Sequence, residues 1–270
     1  MNRQIEPDVL TEEKISAIFK GDIIGKEIIF YKVTTSTNDK AMEIGHRKTE
    51  GTVVIADAQT HGRGRFDRDW VSPPNVNLYF TVLLKPPFAP KNATIITLMA
   101  AVAVVSAIRE YTGLDAVIKW PNDILIRDKK VGGILTEMKS GMDSIDLIAL
   151  GVGVNVNMAL NMLPGDIKPL ATSLKEEKGE YINRAGLLKA IFARLEYWYK
   201  SLLEGRRKAL FDEWLRLDST IGKEISVKTL ERVISGIAEG ISDEGELIVR
   251  FPSGSFEKVS AGDVTILNHR

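Results

Sequence analysis

The sequence predicts an α+β fold, in which a large domain is followed by a small β-module. Strand patterns and helix patterns are mixed along the first 220 residues without the regular alternation that a fully parallel sheet needs. The segment Ile95 to Tyr111 is apolar almost throughout and has the length of a buried core helix. From Ile221 onward, short β-patterned segments are separated by glycine turns, which is typical of a small β-barrel.

In the large domain, apolar periodicity and turn residues set the expected bounds of each element. Thr11 and the run Ser36 to Asn38 are candidate helix caps, and the last strand is expected to break at Gly151 and Gly153. The predicted helices are Pro7–Phe19, Asn38–Arg47, Ile95–Tyr111, Ile182–Leu203 and Arg206–Arg216. The predicted strands are Glu27–Val33, Gly51–Ala58, Asn77–Leu84, Val117–Trp120, Ile124–Arg127, Val131–Lys139 and Leu147–Val156.

In the β-module, the predicted strands are Glu224–Lys228, Val233–Glu239, Glu246–Phe251, Phe256–Ser260 and Asp263–Leu267. The change of pattern divides the chain into a connector helix (1–25), a main domain (26–220) and the β-module (221–270).

Composition excludes several classes of function. The 270 residues carry 36 basic and 36 acidic side chains, and zero net charge argues against general nucleic-acid binding. The absence of cysteine excludes disulfides, thiolate catalysis and cysteine-bound metals. His46, His61 and His269 are too scattered to form a metal-ligand motif. No secretory signal is visible at the start, and Ile95–Ile108 is too short to cross a bilayer, so we expect a soluble cytoplasmic protein without membrane contact.

The segment Gln59 to Trp70 has the composition of an anion-binding loop. Glycines allow the main chain to approach a ligand closely, and the three arginines offer planar charged donors to carboxylate or phosphate. A solvated basic turn, or an RNA-binding tail, would have the same composition. Because the segment follows a buried strand and leads to Trp70, we interpret it as part of a folded site.

Three further segments suggest a ligand site, although each also has a purely structural interpretation. Lys119 to Asp123, together with Lys130 to Leu135, places lysines beside glycines but also fits a turn and a charged hairpin tip. Thr34 to Asn38 could cap a helix or bind a small polar ligand. Gly151 to Asn157 fits a bulge or a close ligand approach, and it lacks the third glycine of a dinucleotide motif.

The order of these segments resembles the catalytic domain of biotin–protein ligases (biotin–[acetyl-CoA-carboxylase] ligases), from about Lys26 to the C-terminus. The pairing of Gly62-Arg63-Gly64-Arg65 with Lys119-Trp120-Pro121-Asn122-Asp123 is specific to that family. The resemblance implies an α+β domain on a mixed sheet, related to class II aminoacyl-tRNA synthetases and followed by an SH3-like barrel. It implies that biotin is activated with ATP and Mg²⁺ as biotinyl-5′-AMP and transferred to a lysine of a biotin carboxyl carrier protein.

The resemblance also implies roles for individual residues, with Lys130, Arg63 and Arg65 as the catalytic group. The implied biotin-binding residues are Ser36, Thr37, Asn38, Gln59, Gly62, Arg63, Gly64, Arg65, Lys130, Gly132, Gly133, Leu135 and Gly151. The implied ATP-binding residues are Arg63, Arg65, Arg68, Trp70, Lys119, Asn122, Asp123, Lys130 and Asn155. Ligands for a protein-bound metal are not implied.

The chain departs from the family pattern at Asp67, where a glycine is usual. Aspartate tolerates left-handed backbone angles better than most residues, so the loop conformation is expected to survive. The residues before Thr34 are too few for the winged helix-turn-helix of the family's repressors. Monomer and homodimer both stay open. The alternatives are a lipoate or octanoate ligase on the same fold, and a non-enzymatic biotin sensor or nucleic-acid binder.

Overall fold

The computed structural model describes residues 9–267. Pro7, where we predicted the first helix to start, and His269 lie outside them. The helices are α1 (Glu12–Ile18), α2 (Thr37–Ile44), α3 (Ala93–Thr112), α4 (Leu174–Lys178), α5 (Arg184–Leu203) and α6 (Arg207–Leu217). The strands are β1 (Ile28–Thr34), β2 (Val53–Gln59), β3 (Leu78–Leu84), β4 (Val117–Lys119), β5 (Asp123–Ile126), β6 (Lys129–Ser140), β7 (Ile145–Val154), β8 (Glu224–Lys228), β9 (Val233–Ile241), β10 (Leu247–Arg250), β11 (Phe256–Val259) and β12 (Asp263–Ile266).

The main sheet has seven strands in the order β1-β2-β3-β7-β6-β5-β4. Strands β1 and β2 run parallel and are connected through α2, whereas the other neighbouring pairs are antiparallel. The sheet is therefore mixed, which confirms the predicted α+β class. The segment after Ile221 forms a separate antiparallel sheet in the order β11-β10-β9-β8-β12, as predicted for the β-module.

Helix α3 lies in the hydrophobic core. The stretch from Pro90 to Thr112 is long and apolar enough to cross a membrane, but 67% of its most apolar window is buried inside the protein. The buried side chains include Ile95, Leu98 and Met99, all fully covered. Burial of this face removes apolar surface from water and stabilises the fold, which confirms the prediction of a core helix.

Two local predictions were wrong. Strand β7 does not break at Gly151 or Gly153, because it lies between β3 and β6 and keeps an unshifted register with both at these positions. Helix α4 was missed because it has only five residues, too few to show a periodic pattern. Its N-terminus is capped by Ser173, whose side chain accepts a hydrogen bond from the backbone N–H of Glu176.

Trp120 of the main domain contacts Thr220, the residue before the β-module, and Gly245 within the module. The backbone N–H of Trp120 donates to Oγ1 of Thr220 at 2.9 Å, and its indole Nε1 donates to the carbonyl of Gly245 at 3.2 Å. Trp120 is fully buried, so these bonds are shielded from water. Gly262, in the turn before β12, accepts a hydrogen bond from Arg65 of the arginine-rich loop described next.

Candidate active site

A single cavity of about 260 Å³ collects most of the residues predicted to bind ligands. It lies against the adjacent strands β6 and β7 and is covered by the loop from Gln59 to Trp70. The predicted residues that line it are Ser36, Thr37, Asn38, Gln59, Arg63, Gly64, Arg65, Arg68, Trp70, Asn122, Asp123, Lys130, Gly133, Leu135, Gly151 and Asn155. Gly62, Gly132 and Lys119 do not line it.

One part of the cavity, here called the amide end, is formed by Thr37, Asn38 and Gln59, and Thr81 contacts the first two of these. Oε1 of Gln59 accepts from the backbone N–H of Thr37 at 2.8 Å. The hydroxyl of Thr81, fully buried in β3, lies 2.6 Å from Oδ1 of Asn38 and 2.9 Å from Oγ1 of Thr37. These contacts fix the amide and hydroxyl groups in one arrangement, so the amide end presents preorganised donors and acceptors.

Ser36 occupies the N-cap position of α2, but its side chain makes no capping hydrogen bond. The hydroxyl lines the cavity instead and is almost fully buried. The prediction that the Ser36 to Asn38 run starts this helix is therefore confirmed. The Ser36 side chain is not used for capping.

Two strand glycines leave room for side chains that shape the cavity. A Cβ on Gly151 would lie 2.2 Å from Oδ1 of Asn38, and a Cβ on Gly153 would lie 2.7 Å from the indole of Trp70. Any other residue would have to displace these groups. The absence of a side chain at these two positions therefore leaves the space that Asn38 and Trp70 occupy beside the cavity.

The second part, here called the cationic end, is formed by Arg65, Asn122, Asp123 and Lys130. Nζ of Lys130 forms a close ion pair with Oδ1 of Asp123. Nη1 of Arg65 donates to Oδ1 of Asn122 at 3.0 Å and to the carbonyl of Gly262, in the β-module, at 2.9 Å. Nζ of Lys130 also lies 5.5 Å from the centre of the Trp70 ring, within range of a cation–π contact.

Charge at the cationic end is set by burial and by close pairing. Burial of Asp123 favours its neutral form, but Lys130 and Lys119 outweigh burial and hold the pKa of Asp123 below its usual value. Burial lowers the pKa of Arg65 against the opposing effect of Asp123. Lys130 and Arg65 face Asp123 here, and the further carboxylate near Arg65, that of Asp263, is paired with Arg68. The end is therefore net positive and suited to a phosphate or carboxylate ligand.

The loop over the cavity is a short hairpin. The backbone N–H of Gly64 donates to the carbonyl of Arg68 at 2.6 Å, and that of Trp70 donates to the carbonyl of Gly62 at 2.7 Å. Phe66 and Asp67 both have φ of 55° at its tip. Aspartate at position 67 thus adopts the left-handed conformation, which confirms the expectation drawn from the sequence.

The three arginines of this loop contact three different parts of the fold. Arg63 pairs with Asp39 of α2 and Glu137 of β6, and Arg68 pairs with Asp263 of the β-module at 2.5 Å. Arg65 alone contacts the cationic end. All three arginines line the cavity, as predicted, and each has different partners, which the sequence did not predict.

Sequence reasoning missed several groups around the cavity. Glu137 could have been found, since it follows the predicted residue Leu135 by two positions in β6 and so shares its face. Thr81 pairs with the predicted residue Gly151, but the pairing of β3 with β7 is not visible in the sequence. Leu163, Ile167 and Leu170 line the cavity from an irregular segment that has no periodic signal. Their apolar side chains supply surface for a ring or base.

Comparison with known proteins gives a consistent result for both domains. Residues 30–155 match the Biotin/lipoate A/B protein ligase family, and residues 220–267 match the Biotin protein ligase C terminal domain. The chain is 36% identical over 262 residues to the bifunctional ligase/repressor BirA of Bacillus subtilis, covering 97% of this chain and 80% of that protein. It is 32% identical over 226 residues to the biotin--[acetyl-CoA-carboxylase] ligase of Paracoccus denitrificans, covering 82% of this chain and 93% of that protein.

A solved structure shows the same fold. The biotin protein ligase from Aquifex aeolicus, in complex with biotin and ATP, superimposes with a TM-score of 0.77 at 29% identity. The match covers 90% of this chain and the whole of that chain. The mixed sheet and the β-module are therefore shared with a protein whose structure was determined with both ligands.

Proposed function

Since the chain belongs to the biotin protein ligase family, we propose that it is a biotin–[acetyl-CoA-carboxylase] ligase. It would use ATP to convert biotin to biotinyl-5′-AMP and then transfer the biotinyl group to a lysine of a biotin carboxyl carrier protein. The observation that carries this proposal is a single cavity with a preorganised amide end and a net positive cationic end. Biotin has a cyclic urea at one end and a carboxylate at the other, so its two ends match the two ends of the cavity.

The spacing of the two ends along the strands supports this assignment. Leu135 pairs with Gly151 beside Asn38, and Gly133 pairs with Gly153 beside Trp70 and Lys130. Two residues along a strand separate these pairs by about 7 Å, which leaves room for a small ring and a short acyl chain.

In the first half-reaction, an oxygen of the biotin carboxylate attacks the α-phosphorus of ATP, and pyrophosphate leaves. Both reactants are anionic, so their repulsion must be offset by fixed positive charge. Lys130 and Arg65 lie at the cationic end and are held there by Asp123 and Asn122. They would lower the barrier by stabilising the charge on the bridging and phosphate oxygens.

In the second half-reaction, the neutral amine of the acceptor lysine attacks the acyl carbon of the adenylate. The C–O bond to phosphate breaks, AMP leaves as an anion, and the amine loses a proton. Lys130 would stabilise both the developing oxyanion and the departing AMP. No covalent enzyme intermediate is needed, because the mixed anhydride already provides a good leaving group.

Mg²⁺ fits this site as a companion of ATP. No group of three or more histidine, aspartate or glutamate side chains able to hold a metal occurs among residues 9–267. Asp123 is already paired with two lysines. We therefore assign Mg²⁺ to the triphosphate, where it would neutralise charge on the leaving pyrophosphate. A cytoplasmic location is part of the proposal, and monomer and homodimer are equally compatible with it.

A lipoate ligase is the second candidate, because the matched family includes lipoate ligases. The amide end distinguishes the two. A ligand that enters the cavity displaces the water bound to Thr37, Asn38 and Gln59. A dithiolane ring cannot replace the hydrogen bonds to that water, and unpaired buried polar groups are costly. The cavity is therefore expected to select a urea over a dithiolane.

The test measures pyrophosphate release with biotin, lipoate and octanoate in parallel, each with ATP and Mg²⁺. Release with biotin alone, followed by modification of a single lysine on a purified biotin carboxyl carrier domain, is the expected result. Release with lipoate and not with biotin would move the chain to the second candidate. Release with no acid, while biotin still binds, would contradict an enzymatic role.

A further inference from the structure

Arg63 is the loop arginine with the most carboxylate contacts in the described part of the chain. Its Nη2 lies 2.7 Å from Oδ1 of Asp39 and 2.8 Å and 2.7 Å from the two carboxylate oxygens of Glu137. Asp39 comes from α2, Glu137 from β6, and Arg63 from the loop. The guanidinium group of Arg63 therefore joins the loop to two other elements, through residues that lie 24 and 74 positions away in sequence (63 − 39 and 137 − 63).

This pairing argues against a role for Arg63 at the phosphate. One positive charge faces two negative charges, so the cluster has a net charge of −1 and would repel a further anion. The side chains are partly exposed, at 38%, 44% and 29% for Arg63, Asp39 and Glu137, so solvent weakens but does not remove this repulsion. Arg65, in contrast, donates its hydrogen bonds to the neutral oxygens of Asn122 and Gly262, while Asp123 and Asp263 act on it by charge alone.

Glu137 also connects the loop to the amide end. Its Oε2 accepts from Nδ2 of Asn38 at 2.8 Å, and the same amide group donates to the carbonyl of Leu135. Thr81 binds the opposite atom of that amide, Oδ1. The carboxylate of Glu137 is therefore shared between the residue that closes the loop and the residue that faces the ligand space.

We propose that Glu137 and Asp39 are positioning residues that hold Arg63 and so fix the Gln59–Trp70 loop across the amide end of the cavity. The effect of this anchoring on catalysis rests on the proposed function, whereas the anchoring itself does not. It assigns Arg63 to closing the site over the urea end of biotin, instead of to the phosphate chemistry that the sequence suggested. Loop closure and orientation of Asn38 then occur together, because both depend on Glu137.

The kinetic test compares Glu137→Gln, Arg63→Gln and the double variant by steady-state pyrophosphate release. Glu137→Gln keeps an acceptor for Asn38 but removes the charge that holds Arg63, so the KM for biotin is expected to rise roughly three- to tenfold with kcat nearly unchanged. Arg63→Gln is expected to raise the KM for biotin further, because it leaves the carboxylates of Asp39 and Glu137 facing each other. The double variant removes one of them and should recover about threefold relative to Arg63→Gln.

Two kinetic results would overturn the inference. If Arg63→Gln lowers kcat as severely as Lys130→Ala with the KM for biotin unchanged, Arg63 acts on the reacting phosphate. If the double variant is worse than Arg63→Gln alone, the two side chains act independently. Glu43→Gln is the matched control, because Glu43 lies on the same helix as Asp39 but pairs only with Lys40. It should behave as the wild type.

Limited trypsin digestion of the ligand-free full-length protein separates this inference from the proposed function. Trypsin can cut after Arg63, Arg65 and Arg68, and Glu137→Gln and Asp39→Asn keep all three sites. Both variants should be cut in the loop several-fold faster than the wild type and the Glu43→Gln control. Equal cleavage rates would refute the anchoring. If the wild type releases no pyrophosphate, the proposed function fails, and the cleavage rates still decide whether the carboxylates hold the loop.

Discussion

Replacing Gly151 by alanine tests whether the cavity depends on main chain at this position. The new Cβ would lie 2.2 Å from Oδ1 of Asn38, whereas ordinary contacts begin at 3.4 Å. The amide must therefore retreat by about 1.2 Å (3.4 − 2.2). Thr81 blocks the retreat, because its hydroxyl is fully buried and only 2.6 Å from the same oxygen.

The expected cost has two parts. Overpacking of a rigid site costs about 1–3 kcal/mol, and losing one of the hydrogen bonds of Asn38 adds about 1 kcal/mol. A total of about 2–4 kcal/mol corresponds to a fall in Tm of roughly 4–7 °C for a chain of this size. The displaced amide should also raise the KM for biotin by about tenfold or more.

Thermal unfolding and steady-state pyrophosphate release measure these two effects. Gly240→Ala is the matched control, since Gly240 is also a strand glycine, in β9, but a Cβ placed on it would have nothing within 4 Å. The control should leave Tm and KM close to wild type. A Gly151→Ala protein with wild-type Tm and wild-type KM for biotin would show that Asn38 does not need the space left by Gly151.

Three further predictions concern charged groups. Lys130→Ala should lower kcat for pyrophosphate release about 100-fold or more. Lys119→Ala should lower kcat much less, because Lys119 is the other partner of Asp123 but does not line the cavity. Similar losses of kcat in the two variants would contradict the catalytic role of Lys130. Because the pKa of Asp123 is lowered, ionised Asp123 stabilises the fold above about pH 4, and this stabilisation is lost as pH falls through the folded-state pKa. The difference in unfolding free energy between the wild type and Asp123→Asn, measured with urea, should therefore shrink in acid. A difference that does not change with pH would contradict this prediction. Arg184→Met should destabilise the protein by about 3–5 kcal/mol, because Asp57 would stay buried without its cation, and a change below about 1 kcal/mol would contradict it.

The fold was largely predictable because apolar periodicity reports local structure. Strand and helix positions in the main sheet and the β-module follow from which side chains must be buried. The false break in β7 has a physical cause. Glycine lacks a side chain to pack, which usually weakens a strand, but β7 has neighbours on both sides that satisfy its backbone. The space left by Gly151 is used by Asn38, a contact that the sequence does not report.

The membership of the site was also predictable, but the pairing within it was not. Lys130 and the arginines of the loop carry recognisable chemistry and do meet at one cavity. Their partners are distant in sequence: Arg68 meets Asp263 and Arg63 meets Glu137. A local pattern contains no information on which acidic side chain lies opposite a given arginine. The partner of each arginine therefore had to come from the structure, and the roles proposed for the arginines rest on those partners.

Native mass spectrometry of the protein incubated with biotin, ATP and Mg²⁺ shows directly whether the protein activates biotin. We expect a stable complex with one biotinyl-5′-AMP per chain, together with free pyrophosphate, and loss of that complex when a biotin carboxyl carrier domain is added. A protein that carries only unreacted biotin and ATP, or that forms an adenylate with lipoate and not with biotin, would contradict it.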